Sequence, residues 1–352
     1  MLGRHRGLRR LGQALVIAVI TIALLEASLR IFHKINPLPI FTTNAYNRFR
    51  LMPHAVVYGF PLNSRGFKDV EFKIEKEAGT YRILGIGDSF AFGIVPYPDN
   101  YLTILDAALN RSGRKVELIN IGVPGFNPRE YLAILIHEGL QLKPDMVLLS
   151  FFIGNDFTEA RKVPRIFRYS YAANALKFLY DVNTKFANFD YTNSGTYDDE
   201  GSLYTTDAYV AHELALSYVF MKRSESFPGL LANTMGHVGA IKRLCDRHGI
   251  RLTVVLIPDE VQVDRALQQQ VVAASGLGSA AFDFDLPTAR LKDELAKLHI
   301  DHLDLLPSFR AAAATARLYK RNDTHWNIKG NALAAEVILQ HLEGQLPAPP
   351  GR

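Results

Sequence analysis

Four short segments of this 352-residue chain carry residue types that fit one chemistry. "GDSF" holds Ser89, "GVPGFN" holds Gly122 and Gly125, "FIGND" holds Asn155, and "NDTHWN" holds Asp323 and His325. A serine hydroxyl attacks a carbonyl only when a base takes its proton, and histidine is the usual base near neutral pH. An imidazole in that role needs one tautomer fixed and its positive charge stabilised, which Asp323, in the same loop, can do. The oxyanion formed by attack needs preorganised donors. The backbone N–H groups of Ser89 and Gly125 and the side-chain amide of Asn155 are of the right kind, and loss of one such donor typically costs about 10²–10³ in turnover. Gly122 is the alternative to Gly125, which sits further into its loop. Singly, each piece also has a plain structural use: a serine after a strand caps a helix, glycines make turns, and Asn-Asp caps. Together and in order they point to acyl transfer at Ser89.

The surrounding elements can bring these residues to one edge. "YRILGIG" (81–87), "KVELINI" (115–121), "DMVLLSFF" (145–152), "IRLTVVLI" (250–257) and "HIDHLDL" (299–305) are apolar runs of strand length. Helix-period segments lie between them: "NYLTILDAALNRSG", "PREYLAILIHEGLQL", stretches around 232–248 and 287–298, and "NIKGNALAAEVILQHLEG". Strand and helix in alternation predict an α/β domain with a five-stranded parallel sheet and helices on both faces. Ligands of such sheets gather at the carboxyl ends of the strands. Ser89, Gly125 and Asn155 follow the first three strands, and the Asp323–His325 loop precedes the last helix. The stretch 157–228 is too long for a simple crossover and predicts an insertion with its own helices and a loop, its aromatics packing on the sheet or stacking on a sugar or acyl chain.

The four blocks resemble the SGNH (GDSL-type) hydrolase family over about 81–342. The resemblance implies a flavodoxin-like three-layer α/β/α sandwich and a triad of Ser89, His325 and Asp323. It implies an oxyanion hole of Ser89, Gly125 and Asn155. The spacing Asp-Thr-His departs from the longer spacing of many members and resembles a D-x-H-W-N variant in membrane-anchored bacterial members. "NSRGFKD" and "IPDEVQVD" resemble those anchored members as well. Arg65 of the former is either a ligand for an anionic substrate or a structural ion-pair residue. No metal or cofactor is implied.

The N-terminus speaks to location. Arg4, Arg6, Arg9 and Arg10 supply four of the net five positive charges, so the basic balance does not describe a nucleic-acid surface. They precede a run without charge from Leu11 to Leu25, apolar on to Phe32 apart from Glu26 and Arg30. The length suits either a cleaved signal peptide or a span, and since no A-x-A-like cleavage pattern follows, residues 1–35 are expected to be an uncleaved, single-pass anchor, with arginines inside and the catalytic domain beyond the membrane. Residues 36–80 are expected to be a linker and lead-in, and 81–345 the hydrolase domain. The single cysteine, Cys245, excludes an intramolecular disulfide and reads as a buried thiol. The expected activity is a serine esterase acting on O-acyl or O-acetyl groups of glycans. The alternatives are a lipid-directed esterase, an O-acyltransferase, or a non-catalytic glycan-binding component.

Overall fold

The computed structural model describes residues 2–35, 51, 53–111, 113–157, 166, 169–184 and 196–346. Five strands form one parallel sheet: β1 (Tyr81–Ile86), β2 (Val116–Asn120), β3 (Met146–Phe152), β4 (Arg251–Ile257) and β5 (Asp301–Asp304). Their order is β2-β1-β3-β4-β5, with Gly85 opposite Asn120 and Ile86 opposite Leu149. β1 and β3 are apolar along almost their whole length because both of their faces are covered. The order reverses direction between β1 and β3, the place where open α/β sheets leave a crevice at their carboxyl ends.

Alternate residues of the strands feed two cores. Ile83, Leu148 and Val255 pack with Leu102 and Leu105 of the helix Tyr101–Asn110 and with Ile338 and Leu342 of the final helix Ile328–Glu343. The opposite face, marked by Leu84, takes the helix Pro128–Ile134 and its continuation to Gly139, where an added β-carbon would stand 2.8 Å from Leu84. The long helix Phe227–His248 packs beside them. Three layers result, as expected.

The chain divides into two compact units. Met1–Met52 and Arg161–Tyr191 form one unit, and Pro53–Ala160 with Thr192–Arg352 forms the other. The expected lead-in from residue 53 onward belongs with the sheet for a physical reason. Lys68 is buried with its Nζ donating to the carbonyls of Gly93 (2.7 Å) and Val95. Asp69 accepts the N–H of Asn120 at the end of β2 (2.7 Å). Arg65 lies with its guanidinium 5.6 Å from the Phe72 ring centre.

The smaller unit contains the helix Leu2–Ile35, of which Arg9–Ile35 is long and apolar enough to cross a membrane, with a mean hydropathy of 2.2 in its most apolar window. The helix Tyr171–Thr184, from the segment read as an insertion, packs against it. The later part of that segment forms the helix Thr206–Leu216 of the larger unit.

Candidate active site

Ser89 opens a one-turn helix, Ser89–Phe92, directly after β1. Asp88 caps it by accepting the Phe90 N–H (2.9 Å). Two side-chain amides from different elements, Asn100 Nδ2 (3.0 Å) and Asn120 Nδ2 (2.7 Å), donate to the Ala91 carbonyl at the other end of the turn. Glycines let the turn sit deep. A β-carbon on Gly87 would stand 2.9 Å from Ser150 Cβ on β3, and one on Gly122 would meet Phe92 N at 2.6 Å. Gly122 is thus a close-packing residue. Gly125 instead has φ of +74°, which favours glycine, and nothing lies within 4 Å of where a β-carbon would stand.

His325 arrives on a hairpin. Tyr319 and Trp326 pair antiparallel, Lys320 donates its N–H to the His325 carbonyl (2.9 Å), and Asn327 donates its own to Leu318 (2.9 Å). Asn322 at the tip adopts φ of +46°, a conformation that asparagine tolerates better than most residues. Asn327 then caps the final helix by accepting the Gly330 N–H (3.0 Å). Trp326 is buried against Phe90, Phe309 and Tyr101, with ring centres 4.9, 4.9 and 5.7 Å away. Phe90, next to the serine, also touches the His325 ring (5.3 Å between centres). The residue after Ser89 and the residue after His325 therefore fix each other.

The outcome is a continuous relay. His325 Nε2 lies 2.7 Å from Ser89 Oγ, and His325 Nδ1 lies 2.6 Å from Asp323 Oδ1. Asp323 is 2% exposed, and Oδ1 also accepts the His325 backbone N–H (3.1 Å). Burial alone would raise its pKa, but the His325 charge and hydrogen bonds, with Lys320 Nζ 3.6 Å from Oδ2, hold it below the ordinary carboxylate value. A carboxylate so held is ionised at neutral pH and suited to orient the imidazole and balance its charge. The one-residue spacing between Asp323 and His325 suffices because the hairpin tip turns both side chains to the same side.

Asn155 and Asp156 divide the work of the turn after β3. Asp156 points inward, accepting the Phe152 N–H (2.8 Å) and the Tyr131 hydroxyl (2.9 Å), and burial with the nearby Asp88 keeps its pKa well above the usual range. Asn155 stays half-buried at the carboxyl end of β3. Asp88 is pushed up to about 6 by burial, and its role is to shape the serine turn.

Several neighbours of the relay escape motif reading. His212, on the helix Thr206–Leu216, stacks on Tyr204 (5.5 Å between ring centres); burial and the His325 charge lower its pKa. Asn322 Nδ2 donates to the Tyr204 carbonyl (3.2 Å), tying the hairpin tip to that segment. Lys320 lies 5.5 Å from the Tyr197 ring, and Tyr197 meets Tyr58 edge-on at 5.7 Å. For Tyr197, Tyr204 and His212 the only sequence signal was the aromatic richness of the stretch 157–228. Among the described residues no group of three His, Cys, Asp or Glu is placed to hold a metal ion. Cys245 is buried, and burial pushes its thiol up to about 12.

Residues 216–351 match the family model described as "SGNH hydrolase-like domain, acetyltransferase AlgX". The matched part holds Asp323 and His325 but not Ser89, Gly125 or Asn155. No curated protein sequence matches the chain. Among solved structures, a lipase/acylhydrolase from Enterococcus faecalis is similar at 13% identity and a TM-score of 0.42, covering 77% of this chain and all of that one. The acetyl xylan esterase AlAXEase is similar at 14% identity and a TM-score of 0.44, covering 74% of this chain and 99% of its own. Axe2, an acetylxylan esterase from Geobacillus stearothermophilus, is similar at 12% identity and a TM-score of 0.41, covering 75% of this chain and 94% of its own.

Proposed function

We propose that this chain, whose residues 216–351 match an SGNH hydrolase-like family model, is a membrane-anchored serine enzyme of that family moving O-acyl groups of glycans beyond the membrane, with Ser89, His325 and Asp323 as its triad. The observation that carries the reading is the unbroken relay from Ser89 Oγ through both His325 nitrogens to Asp323. The Ser89 proton passes to His325 Nε2 as Oγ bonds to the acyl carbonyl carbon, and the carbonyl electron pair moves onto oxygen. The Ser89 and Gly125 N–H groups and the Asn155 amide meet that oxyanion. On collapse the alcohol oxygen leaves with the proton from Nε2, and the acyl group stays on Ser89. A second oxygen nucleophile then gives its proton to His325, takes the acyl group and frees the serine.

The matched family's description names an acetyltransferase, which favours an acetyl group and its transfer to an acceptor rather than to water. The apolar helix after an arginine cluster favours an anchor whose following domain lies outside the cytoplasm. The test uses the full chain in detergent. A fluorophosphonate should label wild type and should not label Ser89→Ala, while His325→Ala should label far more slowly. Absence of labelling in wild type, with no cleavage of an activated acetyl ester, would overturn the reading. Product analysis with an acetyl donor and an oligosaccharide acceptor then separates transfer from hydrolysis.

A further inference from the structure

In the smaller unit, a polar joint sits where the sequence is otherwise apolar. The Glu26 carboxylate accepts Ser170 Oγ–H (2.9 Å) and the backbone N–H groups of Tyr171 (3.1 Å) and Ala172 (2.8 Å). A carboxylate from one helix thereby caps the start of another, Tyr171–Thr184. Arg30, one turn further along, donates Nε to Glu26 (2.7 Å) and Nη2 to the Tyr169 carbonyl, and its guanidinium lies 4.7 Å from the Tyr171 ring centre. An ionised residue within an apolar span is costly unless paired, and helix-end N–H groups away from water need acceptors. One joint satisfies both needs.

The second helix and the residues before it also carry exposed apolar side chains. Leu176, Leu179 and Tyr180, spaced to share one helix face, are 62%, 56% and 63% exposed, and Ile166 and Tyr169 before them are 59% and 66% exposed. Between the N-terminal helix and the residues just before Tyr171 lies a groove lined by Val19, Ile22, Ala23, Ile166 and Tyr169, with Glu26 and Ser170 at its polar end. Val19 and Ile22 of the groove are themselves exposed, so the groove opens onto the apolar flank of the helix read as the anchor.

We propose that the helix Tyr171–Thr184 is a second membrane contact: it lies in the outer interface beside the span, with Leu176, Leu179 and Tyr180 in the headgroup and acyl boundary and a lipid chain in the groove. The inference rests on the reading of Leu2–Ile35 as membrane-spanning. Lipid is the occupant that the continuity with the span selects, and tyrosines at this level fit the aromatic belt of a bilayer surface. An amphipathic helix of this kind settles about 5–10 Å into the boundary.

Single cysteines replacing Ile17, Leu176 or Leu179 in the full chain carrying Cys245→Ala, labelled with bimane and reconstituted alone into vesicles, test this. The label at Leu176 or Leu179 should be quenched more by lipids brominated near the headgroup, and the label at Ile17 more by lipids brominated deep in the chains. Quenching at Ile17 with none at Leu176 and Leu179 would overturn the proposal and leave the stripe to a protein partner or a second copy. No quenching at any of the three would refute the span itself.

Discussion

The Oδ2 atom of Asp259 lies 2.2 Å from the point where a β-carbon on Gly154 would stand. Asp259 is wholly buried, and it is fixed there by capping the next helical turn, accepting the Val261 N–H while the Gln262 side chain accepts its own. Glu213, also buried, stands beside it, and burial with Asp259's charge keeps the Glu213 carboxyl well above the usual range. A carboxyl group thus fills the space under the loop that carries Asn155, and only glycine at 154 leaves room for it.

Gly154→Ala is therefore expected to move the Asn155 backbone, because neither Asp259 nor the Phe152 ring, 2.4 Å from the same point, can yield. With Asn155 as the proposed oxyanion donor, misplacing it should lower kcat by about 10²–10³ with KM nearly unchanged. Steady-state kinetics on an activated acetyl ester check this, beside thermal unfolding to show that the variant folds. An unchanged kcat in a folded variant would remove Asn155 from the oxyanion hole.

Asp323→Asn keeps the size of the side chain but turns an acceptor into a group that presents a donor to His325 Nδ1, favouring the wrong tautomer. The loss in kcat should be about 10³–10⁴, and fluorophosphonate labelling of Ser89 should slow in parallel. A variant that keeps most of its rate would show that the 2.6 Å contact with His325 is structural.

These two sites differ in how far they could be read from the chain. Ser89, Asn155, Asp323 and His325 sit in local blocks at strand ends or before a helix, so period and turn residues sufficed to place them on one edge. The five strands were legible for the same reason, as short apolar runs between helix-period segments. Gly154 and Asp259 do lie in the blocks "FIGND" and "IPDEVQVD", but these are far apart in sequence, Glu213 lies in neither, and no local pattern shows that the Asp259 carboxyl packs where only a glycine leaves room. Lys68 and Asp69 fall in the "NSRGFKD" block, but nothing in its residue types says that they are buried, and only the packed fold shows them under the serine turn and the end of β2. The pairing of Tyr171–Thr184 with the N-terminal helix depends on a Glu26 contact across more than a hundred residues, which hydropathy does not reveal.

Asp69 gives the stability of the larger unit a pH dependence. Burial pushes its carboxyl from an ordinary 3.8 up to about 7, against hydrogen bonds from Asn120, Tyr97 and Val70. The folded chain therefore holds a proton that the unfolded chain has released, and this contribution is full below about pH 4 and lost as pH rises through about 7. Asp69→Asn removes the ionisation and one good acceptor. It should be less stable than wild type by roughly 1–3 kcal/mol at pH 5, with the gap narrowing at pH 8. Urea unfolding midpoints at the two pH values check it, and a constant gap would mean that Asp69 does not change its protonation.

Gly330 is the remaining point where the histidine hairpin is held by the absence of a side chain. A β-carbon there would meet the Leu318 carbonyl oxygen at 2.3 Å and Trp326 Cβ at 2.9 Å, on the two strands of the hairpin just outside His325. The final helix cannot retreat, since Asn331 at its start accepts the Tyr101 N–H (3.1 Å) and Ile338 and Leu342 are buried in the core. The hairpin must yield instead, carrying Trp326 off Phe90 and His325 away from Ser89. Overpacking of this kind costs about 1–3 kcal/mol, so Gly330→Ala should unfold at lower temperature. Its kcat should also fall, because the 2.7 Å contact between His325 and Ser89 depends on the hairpin's seat. Thermal unfolding and ester hydrolysis measured on one preparation separate the two effects, and a destabilised variant with full activity would show that the relay does not depend on how the hairpin packs on the final helix.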